Sequence, residues 1–124
     1  MTELAKPEID FPGGDAPTDL QIRDLVVGDG AEAKAGAAVE VHYVGVTFES
    51  GEEFDASWNR GQTFRFPLGA GRVIKGWDQG VEGMRVGGRR EITIPPHLAY
   101  GDQSPSPLIP AGSTLIFVVD LLGV

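Results

Sequence analysis

Glycine and proline punctuate this chain too often for it to build long elements. Of its 124 residues, 18 are glycine and 9 are proline. That glycine share is about twice the usual value of roughly 7%. Proline brings no backbone donor, and glycine weakens helix and strand interiors alike. No window supports a long amphipathic helix, so short strands joined by tight turns are expected.

Alternation locates those strands. Residues 20–27 (LQIRDLVV) read as the first, ended by the glycines at 28 and 30. Residues 38–48 (AVEVHYVGVTF) carry the clearest pattern, with Val39, Val41 and Tyr43 on one face. His42 falls on the opposite face, where a surface or hydrogen-bonded histidine is expected rather than a metal ligand. A turn at 50–53 leads to Phe54, and alternation resumes at 64–66 (FRF). The intervening stretch, with Trp58, Asn59, Arg60 and Gly61, predicts a bulge or an inserted loop. Residues 89–94 (RREITI) form a strand stopped by Pro95 and Pro96. Residues 114–122 (TLIFVVDLL) are apolar on both faces, which predicts a central strand. Leu115, Phe117, Val119 and Leu121 share one of those faces.

One helix is expected, over 73–84, where Ile74, Trp77, Val81 and Met84 make an apolar face. Its three glycines each cost about 1 kcal/mol relative to alanine, so burial must hold it. The fold class that follows is α+β: an antiparallel sheet of about five strands wrapped around one short α-helix. Residues 1–19 are acidic and weakly patterned and read as an extended arm, with 20–124 as the domain. Within the arm, Ile9 and Phe11 alternate with Asp10 and could pin it to the domain.

Several function classes drop out. At 41% hydrophobic residues the chain can fill a core without a disulfide or metal staple. It has no cysteine, which removes thiol catalysis and fits a reducing compartment. The net charge of -8 repels phosphate backbones and anionic lipid, so neither nucleic acid nor membrane is an expected partner. The N-terminal stretch lacks a basic start followed by an apolar run, so a cytoplasmic location is expected. The two histidines, His42 and His97, lack metal-pair spacing, and no metal or cofactor is expected. The stretch at 68–76 (LGAGRVIKG) lacks both the P-loop ending and the third glycine of a dinucleotide fingerprint. No serine sits in a nucleophile elbow.

Five segments then carry a resemblance: VHYVG (41–45), GEEFDAS (51–57), FRFPLGAGRVIKGWDQGV (64–81), IPPHLAYG (94–101) and IPAGSTLIFVVDLL (109–122). In order and spacing they resemble the FKBP-type peptidyl-prolyl cis-trans isomerases, from about Leu20 to Val124. The resemblance implies a pocket between helix and sheet. Its lining would be Tyr43, Phe54, Asp55, Arg60 and Phe64 from the first half of the domain. Val73, Ile74, Trp77, Tyr100, Ile109 and Phe117 would complete it. Trp77 would be the floor, and the Ile74 N–H and Tyr100 hydroxyl would bind ligand carbonyls. Asp55, held by Tyr43 and Arg60, would lie beside the twisted amide. Catalysis would fall to Phe54, Asp55, Ile74 and Tyr100, acting without a covalent step. Arg72 occupies a position where the family contacts ligand through its backbone, so its side chain is left out of the expected lining.

The implied partners are proline-containing polypeptides and macrolides such as rapamycin or tacrolimus, bound by a monomer. The loop at 101–110 (GDQSPSPLIP) departs from the family pattern, with Ser104, Pro105, Ser106 and Pro107 where glycines and a histidine are common. Its prolines predict a stiffer rim with altered ligand contacts.

Overall fold

Cross-strand pairing follows the alternation of the sequence. In the computed structural model, which describes residues 6–9 and 14–124, six strands form. They are β1 (Gln21–Val26), β2 (Ala38–Thr47), β3 (Glu53–Ala56), β4 (Phe64–Pro67), β5 (Arg89–Ile94) and β6 (Leu115–Gly123). All pairs are antiparallel, in the order β1-β5-β6-β2-β3, with β4 also on β2. Strand β6 is central, as its two apolar faces require.

The expected count was about five, and the sixth strand has a local cause. One interrupted strand is really two. Residues 38–41 of β2 pair with β4, while 44–46 pair with β3. Between β3 and β4 the chain makes a single helical turn, α1 (Ser57–Arg60), closed by Gly61 at φ 64°. Only a residue without a Cβ takes that conformation at little cost.

The main helix, α2 (Lys75–Val81), is shorter than the 73–84 expected from periodicity. Ile74 is extended at its start, and Glu82 is extended at its end, before Gly83 at φ 90°. Met84 stays in the core, 3% exposed, although it lies beyond the helix. The glycines of α2 have a packing role that helix propensity hides. A Cβ on Gly76 would lie 2.4 Å from Cγ2 of Ile94, and one on Gly80 2.8 Å from Cγ2 of Ile92. Their absence lets α2 close onto β5.

The core lies between α2 and the sheet. It joins Val39, Val41 and Tyr43 of β2 to Ile92 and Ile94 of β5 and the Leu115, Phe117, Val119 and Leu121 face of β6. A smaller cluster of Val46, Phe48 and Ile116 is covered in part by Ile9 and Ala16. Ile9 thus packs on the domain, while Phe11 lies outside the described residues. Lys6 adds an ion pair to Glu53 at 2.8 Å and a hydrogen bond to Asn59 at 2.9 Å.

His42 has partners. Its Nδ1 is 2.8 Å from the Ser57 hydroxyl, and its ring stacks on Trp58 at 4.2 Å. It stands opposite Asp120 of β6 in the ladder. Asp120 is buried and takes a hydrogen bond from Arg89 Nε at 2.7 Å. No helix among the described residues is long and apolar enough to cross a membrane.

Candidate active site

Strand register assembles one wall of a cleft. Gly45 of β2 is flanked by Asp55 of β3 and Phe117 of β6, directly opposite on either side. Residues paired this way present side chains on the same face. Tyr43, two residues before Gly45, shares that face. A cleft of about 440 Å³ opens there, between the sheet and the segment leading into α2.

Trp77, in the first turn of α2, is 4% exposed and forms the floor. Aromatic rings meet it edge-on: Tyr43 at 5.0 Å, Phe117 at 5.2 Å and Phe64 at 6.0 Å between centroids. Phe54 in turn meets Phe117 at 5.5 Å and 87°. Edge-to-face pairs of this kind favour a fixed mutual orientation and add about 0.5–1.5 kcal/mol each beyond area burial. With Phe66 at 5.5 Å and 62°, four rings brace the floor.

Asp55 sits in a closed polar triangle. It accepts the Tyr43 hydroxyl on Oδ2 at 2.6 Å and Arg60 Nη1 on Oδ1 at 2.5 Å. Arg60 Nη2 also donates to the Tyr43 hydroxyl at 2.8 Å. Charge-assisted bonds are the stronger kind, and here they fix the carboxylate's orientation. Burial, then the hydrogen bond to Asp55, raises the Tyr43 pKa above its ordinary value. Burial, then the Asp55 charge, does the same for Tyr100. Both hydroxyls keep their protons at neutral pH. The Arg60 pKa is raised by its bonds to Tyr43 and Asp55.

Several donors in the lining find no acceptor among the described residues. The Ile74 N–H and the Tyr100 hydroxyl make no hydrogen bond among the described residues. Tyr100, 37% exposed, stands at the rim. The loop before Ile74 is held from α2: Asp78 accepts the Gly69 N–H at 2.8 Å and the Gly71 N–H at 3.0 Å. Both glycines have positive φ, at 80° and 72°.

Nine of the expected lining residues border the cleft: Tyr43, Phe54, Asp55, Phe64, Val73, Ile74, Trp77, Tyr100 and Phe117. Arg60 does not, and reaches it only through Asp55 and Tyr43. Ile109 does not either; it is 6% exposed and belongs to the core. Arg72 also borders the cleft. Neither Pro105 nor Leu108 borders the cleft. The 101–110 loop is tied by its serines: the single Ser104 hydroxyl proton is shared between the Ser106 and Ile109 carbonyls, 2.8 and 2.7 Å from its Oγ, and the Leu108 N–H donates to the Ser106 hydroxyl at 3.0 Å. Gly45 and Asp78 were missed by sequence reasoning. A glycine inside a strand is a signal of close approach that could have found the first. Nothing in the sequence marks Asp78.

Comparison with known proteins identifies the family and supports the fold. The family model for FKBP-type peptidyl-prolyl cis-trans isomerases matches residues 30–122. An FK506-binding protein of Streptomyces anulatus is 63% identical over 122 residues, covering 98% of each chain. A probable FK506-binding protein of Corynebacterium glutamicum is 58% identical over 120 residues, covering 96% of this chain and 98% of that one. The crystal structure of AtFKBP13 superposes with a TM-score of 0.76 at 45% identity, covering 87% of this chain and 94% of that one. The chain belongs to the FKBP-type peptidyl-prolyl cis-trans isomerase family.

Proposed function

We propose that this protein accelerates rotation about X–Pro peptide bonds in proteins by binding the twisted amide, without a covalent step, in the aromatic cleft. The observation that carries the reading is the pairing of an aromatic floor with the Ile74 N–H and the Tyr100 hydroxyl, both without a partner among the described residues. Uncatalysed rotation faces a barrier of about 18–20 kcal/mol and takes tens to hundreds of seconds. Bringing it to milliseconds needs about 5–7 kcal/mol, at 1.36 per tenfold.

A twisted amide loses resonance, so its oxygen carries less charge than in the planar form. An apolar cleft disfavours the polar planar state more than the twisted one. The Ile74 N–H and the Tyr100 hydroxyl would hold client carbonyls, Phe54 and Phe117 would form a wall against the proline ring, and Asp55 would lie beside the rotating bond. The isomerase domain spans 20–124, with 1–19 as an arm. Rapamycin or tacrolimus would compete for the same cleft, a reading supported by relatives named for binding FK506. The protein would act as a monomer, and the cysteine-free sequence fits the cytoplasm.

The test is a proline isomerisation assay at low temperature, with and without rapamycin. Acceleration that rapamycin suppresses is expected. Asp55→Asn and Tyr100→Phe should each slow the reaction yet leave measurable acceleration. Outright loss in either single variant would overturn the account and return acid–base chemistry. No acceleration by folded wild-type protein would leave only a binding module.

A further inference from the structure

Lysine and arginine number 10 in this chain, and all lie among the described residues. Seven close ion pairs with carboxylates, at 2.5 to 3.7 Å. The other three are Lys34, Arg72 and Lys75, which make no side-chain hydrogen bond or ion pair among the described residues. These three are not scattered. Arg72 lines the cleft. Lys75 follows Ile74 directly and opens α2. Lys34 lies in the segment bonded to the same loop, through Gly36 N–H to the Leu68 carbonyl and Leu68 N–H to the Ala37 carbonyl, both at 2.9 Å.

The loop at 68–74 is thus bordered by all three lysine and arginine side chains that lack a partner among the described residues, in a chain whose net charge is -8. The loop's own carboxylate neighbour, Asp78, is occupied by the Gly69 and Gly71 N–H groups. The cleft therefore has a positive lip in a negative surface. A carboxylate approaching elsewhere is repelled, and one approaching here is attracted. Arg72 stands two residues before Ile74 in a bent segment, so their Cα atoms are no more than about 7 Å apart. A client carboxylate within about two residues of the carbonyl held at Ile74 can meet the guanidinium.

We propose that Arg72 is a specificity-determining residue, selecting proline-containing chains that carry Asp or Glu about two residues from the proline. The proposal rests on the isomerase reading of the same cleft. Exposed ion pairs are worth little, so the expected preference is modest, about threefold in kcat/KM for Glu over Gln and more for Glu over Lys. It should shrink as salt is added.

The experiment uses one Leu-Pro peptide series with Glu, Gln or Lys placed two residues before or two residues after the proline. Wild-type protein should rank Glu above Gln above Lys in at least one of the two placements. Arg72→Gln should flatten that ranking and Arg72→Glu should reverse it. Lys75→Glu, whose side chain is outside the lining, should move it less. Equal kcat/KM across the series at both placements, or a ranking unchanged in Arg72→Glu, would overturn the proposal. Equal reversal by Lys75→Glu would overturn the assignment to Arg72. Absence of catalysis with every peptide would overturn the isomerase reading instead. The same ranking, read as peptide affinity by quenching of tryptophan fluorescence, would then still decide the role of Arg72.

Discussion

At position 45 a Cβ would lie 2.6 Å from Cε1 of Phe117 and 2.7 Å from Cζ of Phe54. Two walls of the cleft thus pack over the same bare backbone. Gly45→Ala should force both rings aside, at about 1–3 kcal/mol of overpacking. Activity is expected to fall by about tenfold, because the displaced rings are the walls themselves. Urea denaturation and kcat/KM measured together check this; full activity in a destabilised variant would separate the rings from catalysis. Position 45 also shows what a sequence conceals at this scale. Tyr43, Phe54, Asp55 and Trp77 are legible because their chemistry is distinctive and their segments resemble the family's. Gly45 acts by lacking atoms, and Arg72 acts by lacking a partner. Neither property belongs to the residue alone, since each depends on what the fold brings near it.

Elements were legible in kind and less so in extent. Strand β5 falls on residues 89–94, where alternation places it, because two prolines end it in the sequence itself. Helix α2 loses its expected ends because periodicity sees which residues are apolar, not where backbone leaves the helix. Met84 keeps the apolar phase and is buried, but Glu82 and Gly83 have already left the helix. The glycines of α2 reverse an ordinary expectation. Alanine at 76 is the better helix former by about 1 kcal/mol. Its methyl, however, would fall 2.4 Å from Ile94, a fully buried side chain on a strand that cannot retreat. Gly76→Ala should therefore destabilise, by about 1–3 kcal/mol net of the propensity gain. Thermal unfolding decides the sign: a higher Tm would mean that α2 can lift off β5.

Across the whole molecule, Asp120 and Arg89 lie on neighbouring strands, opposite each other in the ladder, with the carboxylate buried. Burial raises the Asp120 pKa more than the Arg89 hydrogen bond and charge, and the charge of His42, lower it. The folded pKa thus exceeds the unfolded one, near 4. Ionised Asp120 costs stability at neutral pH, and that cost fades as pH falls through the raised value. Arg89→Met removes the main compensation. It should cost about 3–5 kcal/mol at about pH 7 and clearly less at about pH 4, relative to wild-type protein at the same pH. Equal losses at both pH values would show that Arg89 acts through its stem and not through its charge.

The central place of β6 carries a further consequence. Phe117 is a wall of the cleft and also a residue of the central strand, hydrogen-bonded on one side to β2 and on the other to β5. Amides in such a strand exchange with solvent only when the entire domain opens. A bound chain therefore cannot escape by local melting of that wall. The exposed residues of the lining are Arg72 and Tyr100, so the lifetime of a complex is expected to be set at the rim while its fit is set at the centre.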